Sequence, residues 1–196
     1  MIRVAVLDDH PAVQAGLAAM LDPDPDVSVV GFAASEEQLW PLLRRTHPDV
    51  LVLDGHHPGR DGLTLTQEIK RTILPPAVVL YAGSATDVLV VAAVVAGVDT
   101  VVAKTSAPRE LHTAIHEVVR RPGRLPPISV QMRYAAAAAL DPSDHAILAM
   151  RLAGDSPSEI GAVLGLRAPD VRGRIGAMVA AMTDAVPDPA TARRAA

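Results

Sequence analysis

The chain holds 196 residues, enough for one large or two small domains, with 49% hydrophobic residues but only four aromatics (Phe32, Trp40, Tyr81, Tyr134). It has no cysteine, which excludes disulfides, thiolate metal sites and cysteine nucleophiles, and its formal charge is −4. The start is charged too soon for a signal peptide, and the most apolar stretch, 88–98, is half of what a bilayer needs, so a cytoplasmic chain without a membrane span is expected.

The first 121 residues alternate two periodicities. Short β-branched runs at Ile2–Leu7, Val27–Phe32, Val50–Leu53, Ala77–Tyr81 and Thr100–Ala103 predict strands. Segments of helical spacing separate and follow them: Pro11–Leu21, Glu36–Thr46, Gly62–Thr72, Thr86–Ala96 and Pro108–Arg120. Five strands alternating with five helices imply an α/β unit with a parallel sheet covered on both faces. Pro11 and Pro108 stand at first-turn positions, where a missing N–H costs nothing. The breaker cluster Pro122–Pro127 marks a linker, and 128–139 reads as a short helix. A helix over Pro142–Ala153, closed by Gly154, opens the second unit. Ser156–Leu164 is a short helix ending at a Gly165 turn, and Arg167–Met182 is a longer one. Short helix, tight turn and longer helix form a helix-turn-helix signature. Residues 185–196 read as a disordered tail. The expected organisation is therefore 1–121, a linker and helix over 122–139, 140–184, and the tail.

In such a sheet a ligand sits beyond the carboxyl ends of the strands. The first strand delivers Asp8 and Asp9 there, the third Asp54, the fourth Tyr81 and the fifth Lys104. Taken singly, these residues are turn formers and solvated charges. Taken together, three carboxylates either repel one another or hold a hard divalent cation of the Mg²⁺ kind. Such a cation screens an incoming phosphoryl group and makes one carboxylate usable as an acyl-phosphate nucleophile. His56 and His57, which follow Asp54, offer a transition-metal or pH-sensing pair, or are loop residues beside an acidic site.

Asp8-Asp9, the run from Leu51 through Asp54 and Pro58 to Gly62, and Ala96-Gly97 through Lys104 resemble the receiver domains of two-component response regulators. Leu140–Met182 resembles the DNA-binding domain of the NarL/LuxR class. The resemblance implies a flavodoxin-like (βα)5 receiver joined to a small all-α helix-turn-helix domain, a transcription regulator rather than an enzyme. It implies that Asp54 accepts phosphate from a sensor histidine kinase. Asp9, Asp54 and the His56 backbone carbonyl would hold Mg²⁺, with Asp8 acting through water and Lys104 contacting the phosphoryl group. Two switch positions depart from the family. Tyr81 stands where Thr or Ser is usual, and Val101 replaces an aromatic residue. These changes keep open a phosphate-independent regulator read by a ligand or a partner protein.

In the second unit, Arg167, Arg172 and Arg174 are the expected DNA contacts, with Arg172 at a basic family position. Asp170 sits where a small hydroxyl residue usually meets phosphate, and a carboxylate there repels it. Residues 140–182 carry four Arg against five acids, a low balance for a nucleic-acid binder. That balance also keeps open a protein-binding adaptor with weak DNA affinity. Finally, 86–96 has no charge after Asp87 and is apolar all round. This predicts an exposed greasy face and a homodimer through it and the fifth strand, or else docking of the chain's own C-terminal helices there.

Overall fold

The computed structural model describes residues 1–57 and 60–184, and only the backbone of His56, His57 and Arg60. The tail expected over 185–196 lies outside the described residues. Packing separates two compact units, Met1–Ala85 with Gly97–Pro126, and Thr86–Ala96 with the chain from Pro127 onward.

The first unit is built on a parallel five-stranded sheet of β1 (Ile2–Leu7), β2 (Val27–Ala33), β3 (Val50–Asp54), β6 (Ala77–Ala82) and β7 (Thr100–Ala103), in the order β2-β1-β3-β6-β7. This is the flavodoxin-like order. On one face Val4, Val6, Val50, Val52, Val79 and Tyr81 form a single apolar cluster with residues of α1 (Pro11–Leu21) and α5 (Pro108–Arg120). The alternate residues Ala5, Leu7, Leu51, Leu53, Val78 and Leu80 are fully buried as well. By strand periodicity they face the other side, where α2 (Glu36–Thr46) and α3 (Gly62–Ile69) bring Leu39, Leu42, Leu63, Leu65 and Ile69. A sheet buried on both faces reads as continuous aliphatic runs, which is why the strands were legible.

Two departures from the expected elements have local causes. Helix α3 stops at Ile69 instead of Thr72, its last N–H groups at Arg71 and Thr72 bonding three residues back, while the Lys70 side chain bonds the Pro76 carbonyl (3.0 Å) and the Asp99 carboxylate (2.6 Å). One of the two lysines is thus a clip between α3 and the strand that follows. Beyond Asp54, His56–His57 (β4) pairs antiparallel with Arg60–Asp61 (β5), a small ribbon in a stretch with no strand signal.

In the second unit α6 (Val130–Ala137) precedes α7 (His145–Ala153), α8 (Pro157–Leu164) and α9 (Ala168–Asp184). Asp141 accepts from the Ser143 N–H (2.8 Å), and the chain makes a 3-10 turn over Pro142–Asp144 before the α-helix begins. Ser156 and Glu159 form a reciprocal capping box at the start of α8. The α8–α9 turn explains two glycines: Gly165 is left-handed (φ 67°), and a Cβ on Gly161 would lie 2.6 Å from the Leu166 carbonyl oxygen.

The greasy helix also belongs to this unit. α4 (Asp87–Ala96) packs with α6, α7 and α9, and Val91 and Val95 are fully buried. The exposed face on which the α4 homodimer rested is therefore covered from within the chain, and the docking alternative is the one observed. Arg151 on α7 fixes the arrangement by donating to the Val95 carbonyl through Nε (3.3 Å) and Nη2 (3.2 Å). A cation at the carboxyl end of α4 matches the helix dipole.

One ion cluster of the first unit lies away from the strand ends. Asp24, in the α1–β2 loop, meets His116 Nε2 at 2.8 Å and His112 Nδ1 at 3.2 Å, both from α5. The hydrogen bond to His116, then those to the Asp26 N–H and His112, hold its carboxyl below the usual 3.8, at about 2. A depressed folded-state value means that this stabilisation is complete above the unfolded-state value and is lost as pH falls towards 2. Urea unfolding should show Asp24→Asn less stable than wild type above about pH 4, with the gap closing towards pH 2.

Candidate functional site

The site is a product of sheet register. Leu7 is level with Leu53, Asp54 with Tyr81, and Ala82 with Ala103. Asp8, Asp54 and Lys104 therefore leave their strands along one rim, held by Asp8 N–H to Ala33 carbonyl (3.2 Å) and Lys104 N–H to Ala82 carbonyl (2.6 Å). The Lys104 ammonium reaches both carboxylates, 2.9 Å from Asp8 Oδ2 and 3.0 Å from Asp54 Oδ1. Those acids are 1% and 3% exposed. Burial works to lower the Lys104 pKa, but its hydrogen bonds to Asp8 and Asp54 outweigh this and raise it. The lysine is accordingly a fixed cation.

Asp9 is more open, yet its Oδ1 is enclosed and has no hydrogen-bond partner. His10 Nδ1 approaches that oxygen at 2.9 Å without completing a hydrogen bond, and the His10 N–H donates to Asp8 Oδ1 (2.8 Å). Ligand atoms of Asp8, Asp9, His10 and Asp54 lie within 4.8 Å of one another. An orphaned carboxylate oxygen within a group of oxygen donors fits a hard divalent cation. His10 and Gln14, whose amide donates to the Asp8 carbonyl (2.6 Å), were missed in the sequence. The only signal for His10 was its adjacency to the acid pair.

Tyr81 faces into the apolar cluster beneath the rim and is 8% exposed, with the Lys104 ammonium 5.7 Å from its ring centroid. Burial raises its hydroxyl pKa, so the group is a neutral phenol. Val101 lies half-buried on β7.

At the other candidate surface two of the three arginines are engaged. Arg167 forms a two-point pair with Asp170 (2.8 Å each), so that carboxylate is neutralised within its own helix start. Arg174 Nε donates to Asp144 (2.6 Å) and Nη2 to the Ser143 carbonyl (2.6 Å), tying α9 to the start of α7. Among the described residues Arg172 makes no such pair.

Replacing Lys104 with Met leaves two enclosed carboxylates without their shared cation. The variant should lose about 1–3 kcal/mol in denaturant unfolding at neutral pH. Added Mg²⁺ should restore part of the loss, as measured by the thermal midpoint.

Three relatives set this geometry in context. The response regulator receiver domain family matches residues 4–116. The transcriptional regulatory protein LiaR of Bacillus subtilis is 35% identical over 115 residues, 59% of this chain and 54% of that protein. The chain spans about half the length of the curated relatives it matches. Among solved structures, a LuxR-family two-component response regulator from Aurantimonas sp. SI85-9A1 is 29% identical. It covers 64% of this chain and 89% of its own, with a TM-score of 0.58. RcsB of Salmonella enterica serovar Typhimurium bound to a promoter is 22% identical over 96% of this chain and 94% of its own, with a TM-score of 0.58, and so shares the fold. Because the receiver match takes in more than half of the residues, the chain belongs to the response regulator receiver domain family.

Proposed function

We propose that this chain is a DNA-binding transcriptional regulator controlled through its acidic rim, with Asp54 as phosphoacceptor. The supporting observation is the single ammonium of Lys104 shared by Asp8 and Asp54 at adjoining strand ends. In this reading 1–121 is the receiver, 122–139 a linker with its helix, and 140–184 the DNA-binding part. Among the described residues no helix is long and apolar enough to cross a membrane, in keeping with work in the cytoplasm.

Phosphorylation would join an Asp54 carboxylate oxygen to the phosphorus of a phosphohistidine on a sensor kinase. The P–N bond breaks and the imidazole leaves with its electron pair. Asp9 and Asp54, with the His56 carbonyl and Asp8 through water, would hold Mg²⁺, whose contribution when bound is to neutralise charge on the phosphoryl oxygens. Lys104, already against Asp54, exchanges a carboxylate oxygen for a phosphoryl oxygen and remains charged throughout. Tyr81 sets this switch apart from the family pattern. Anchored in the apolar cluster, its ring cannot swing as a small Thr or Ser would, and this favours a second reading in which output responds to a ligand or partner instead of phosphate.

The two readings separate in one experiment. With acetyl phosphate and Mg²⁺, intact mass should show one phosphoryl adduct that Asp54→Asn abolishes. Tyr81→Thr should raise the modified fraction. No adduct in either wild type or Tyr81→Thr supports the phosphate-independent reading.

For output, Arg172 on α9 is the cation available to DNA, and a second copy of the chain doubles it. Arg172→Ala should weaken promoter binding by about 1–3 kcal/mol if it reads a base, and less if it meets phosphate alone. Unchanged binding at low salt, measured by mobility shift, favours the protein-binding adaptor.

A further inference from the structure

At the amino ends of the strands, the end of the sheet away from Asp54, a cavity of about 530 Å³ opens between the last turns of α2 and the segment that enters β6. Its floor is apolar: Trp40 and Leu43 from α2, with Pro48 and Pro76, the prolines just before β3 and β6. Ile73 and Leu74 form the far wall and are 97% and 83% exposed. Two adjacent large aliphatics left in water beside a ready-made cavity are an apolar surface without its occupant. The volume is that of a small-molecule site.

The rim adds a sign. Arg44 and His47 line the cavity, and among the described residues neither side chain has an ion-pair partner. His47 holds the left-handed backbone (φ 41°) that closes α2, a position where glycine is the usual and less strained choice. The nearby acids are engaged elsewhere. Glu36 accepts from Trp40 Nε1 (3.3 Å) and Asp49 from the Arg3 N–H (2.8 Å). The carbonyl end of α2 disfavours an anion by itself, and the Arg44 guanidinium in its last turn reverses that preference.

We propose that this cavity is a binding site for a small amphipathic anion: an alkyl or aryl body against Trp40, Leu43 and Leu74, and one carboxylate at Arg44 and His47. Carbon walls with a cationic lip select for both features at once. A neutral chain satisfies only the walls, and a cationic one meets repulsion at the lip. The site lies wholly within the first unit and uses none of the acidic-rim residues, so its failure and that of the phosphoacceptor reading are independent.

Trp40 is the only tryptophan in the chain, so its emission reports the cavity directly. Octanoate, 1-octanol and octylammonium are titrated into the full-length protein. The expected result is a saturable change with octanoate in the millimolar range or below, a weaker response to octanol, and none to octylammonium. Arg44→Gln should weaken octanoate roughly three- to tenfold and leave octanol unchanged. Leu74→Ser, at an exposed position that leaves the fold intact by circular dichroism, should weaken both. Equal binding of octanoate and octanol to wild type would identify a plain apolar patch, suited to a protein side chain, and overturn the proposal. So would an unsaturable response, or an octanoate response indifferent to both substitutions.

Discussion

Two carboxylates as enclosed as Asp8 and Asp54 repel each other and lose hydration, and the fold tolerates them because one ammonium sits between them. That contact requires Asp8 and Asp54 to be level and Lys104 to lie two residues further along its strand. A one-residue slip of any strand would turn its acid or lysine to the opposite face and expose the aliphatic residues that alternate with it. Sheet register and site geometry are thus one constraint. The runs of Val and Leu fix the register through burial, and the register places the charges. What stabilises the unit is the hydrophobic layering; the triad of charges sits at its strand ends, where the proposed phosphoacceptor reading would place a cation and a phosphoryl group.

The second constraint is the sharing of α4. The chain leaves the first unit after Ala85, builds α4 into the second, and returns at Gly97. The strand before this excursion delivers Tyr81, and the strand after it delivers Lys104. α4 thus belongs to the sequence between two strands of the first unit and to the packing of the second.

Much of this was legible in the sequence because buried parallel strands write themselves as aliphatic runs and strand ends as acids. The five strands and the rim residues Asp8, Asp54 and Lys104 came from that pattern alone. The failures share a cause, which is that tertiary contacts of single polar side chains carry no period. Lys70 bonding Asp99 and Arg174 held by Asp144 depend on partners brought near by folding, whereas the Arg167–Asp170 pair, three residues apart, lay within reach of helical spacing. The apolar helix α4 shows the complementary limit. Its composition announced that both faces are buried but could not say by what, and the C-terminal helices turned out to be the answer.

The same ion pairs bear on what α9 presents outward. Affinity for a phosphate backbone grows with the number of cations free to displace counterions, and its salt dependence grows with it. Arg174 is committed to holding α9 against α7, and Arg167 carries its charge already cancelled by Asp170. One helix then offers Arg172 and little else, a surface far below the several phosphate contacts that make non-specific binding strong. Recognition through such a helix has to draw on base edges, on shape, or on a second copy. Each of these ties affinity to sequence or to assembly more than to charge. Under the proposed DNA-binding function, such a helix would bind stray DNA poorly, and the weak electrostatic term would become a source of selectivity.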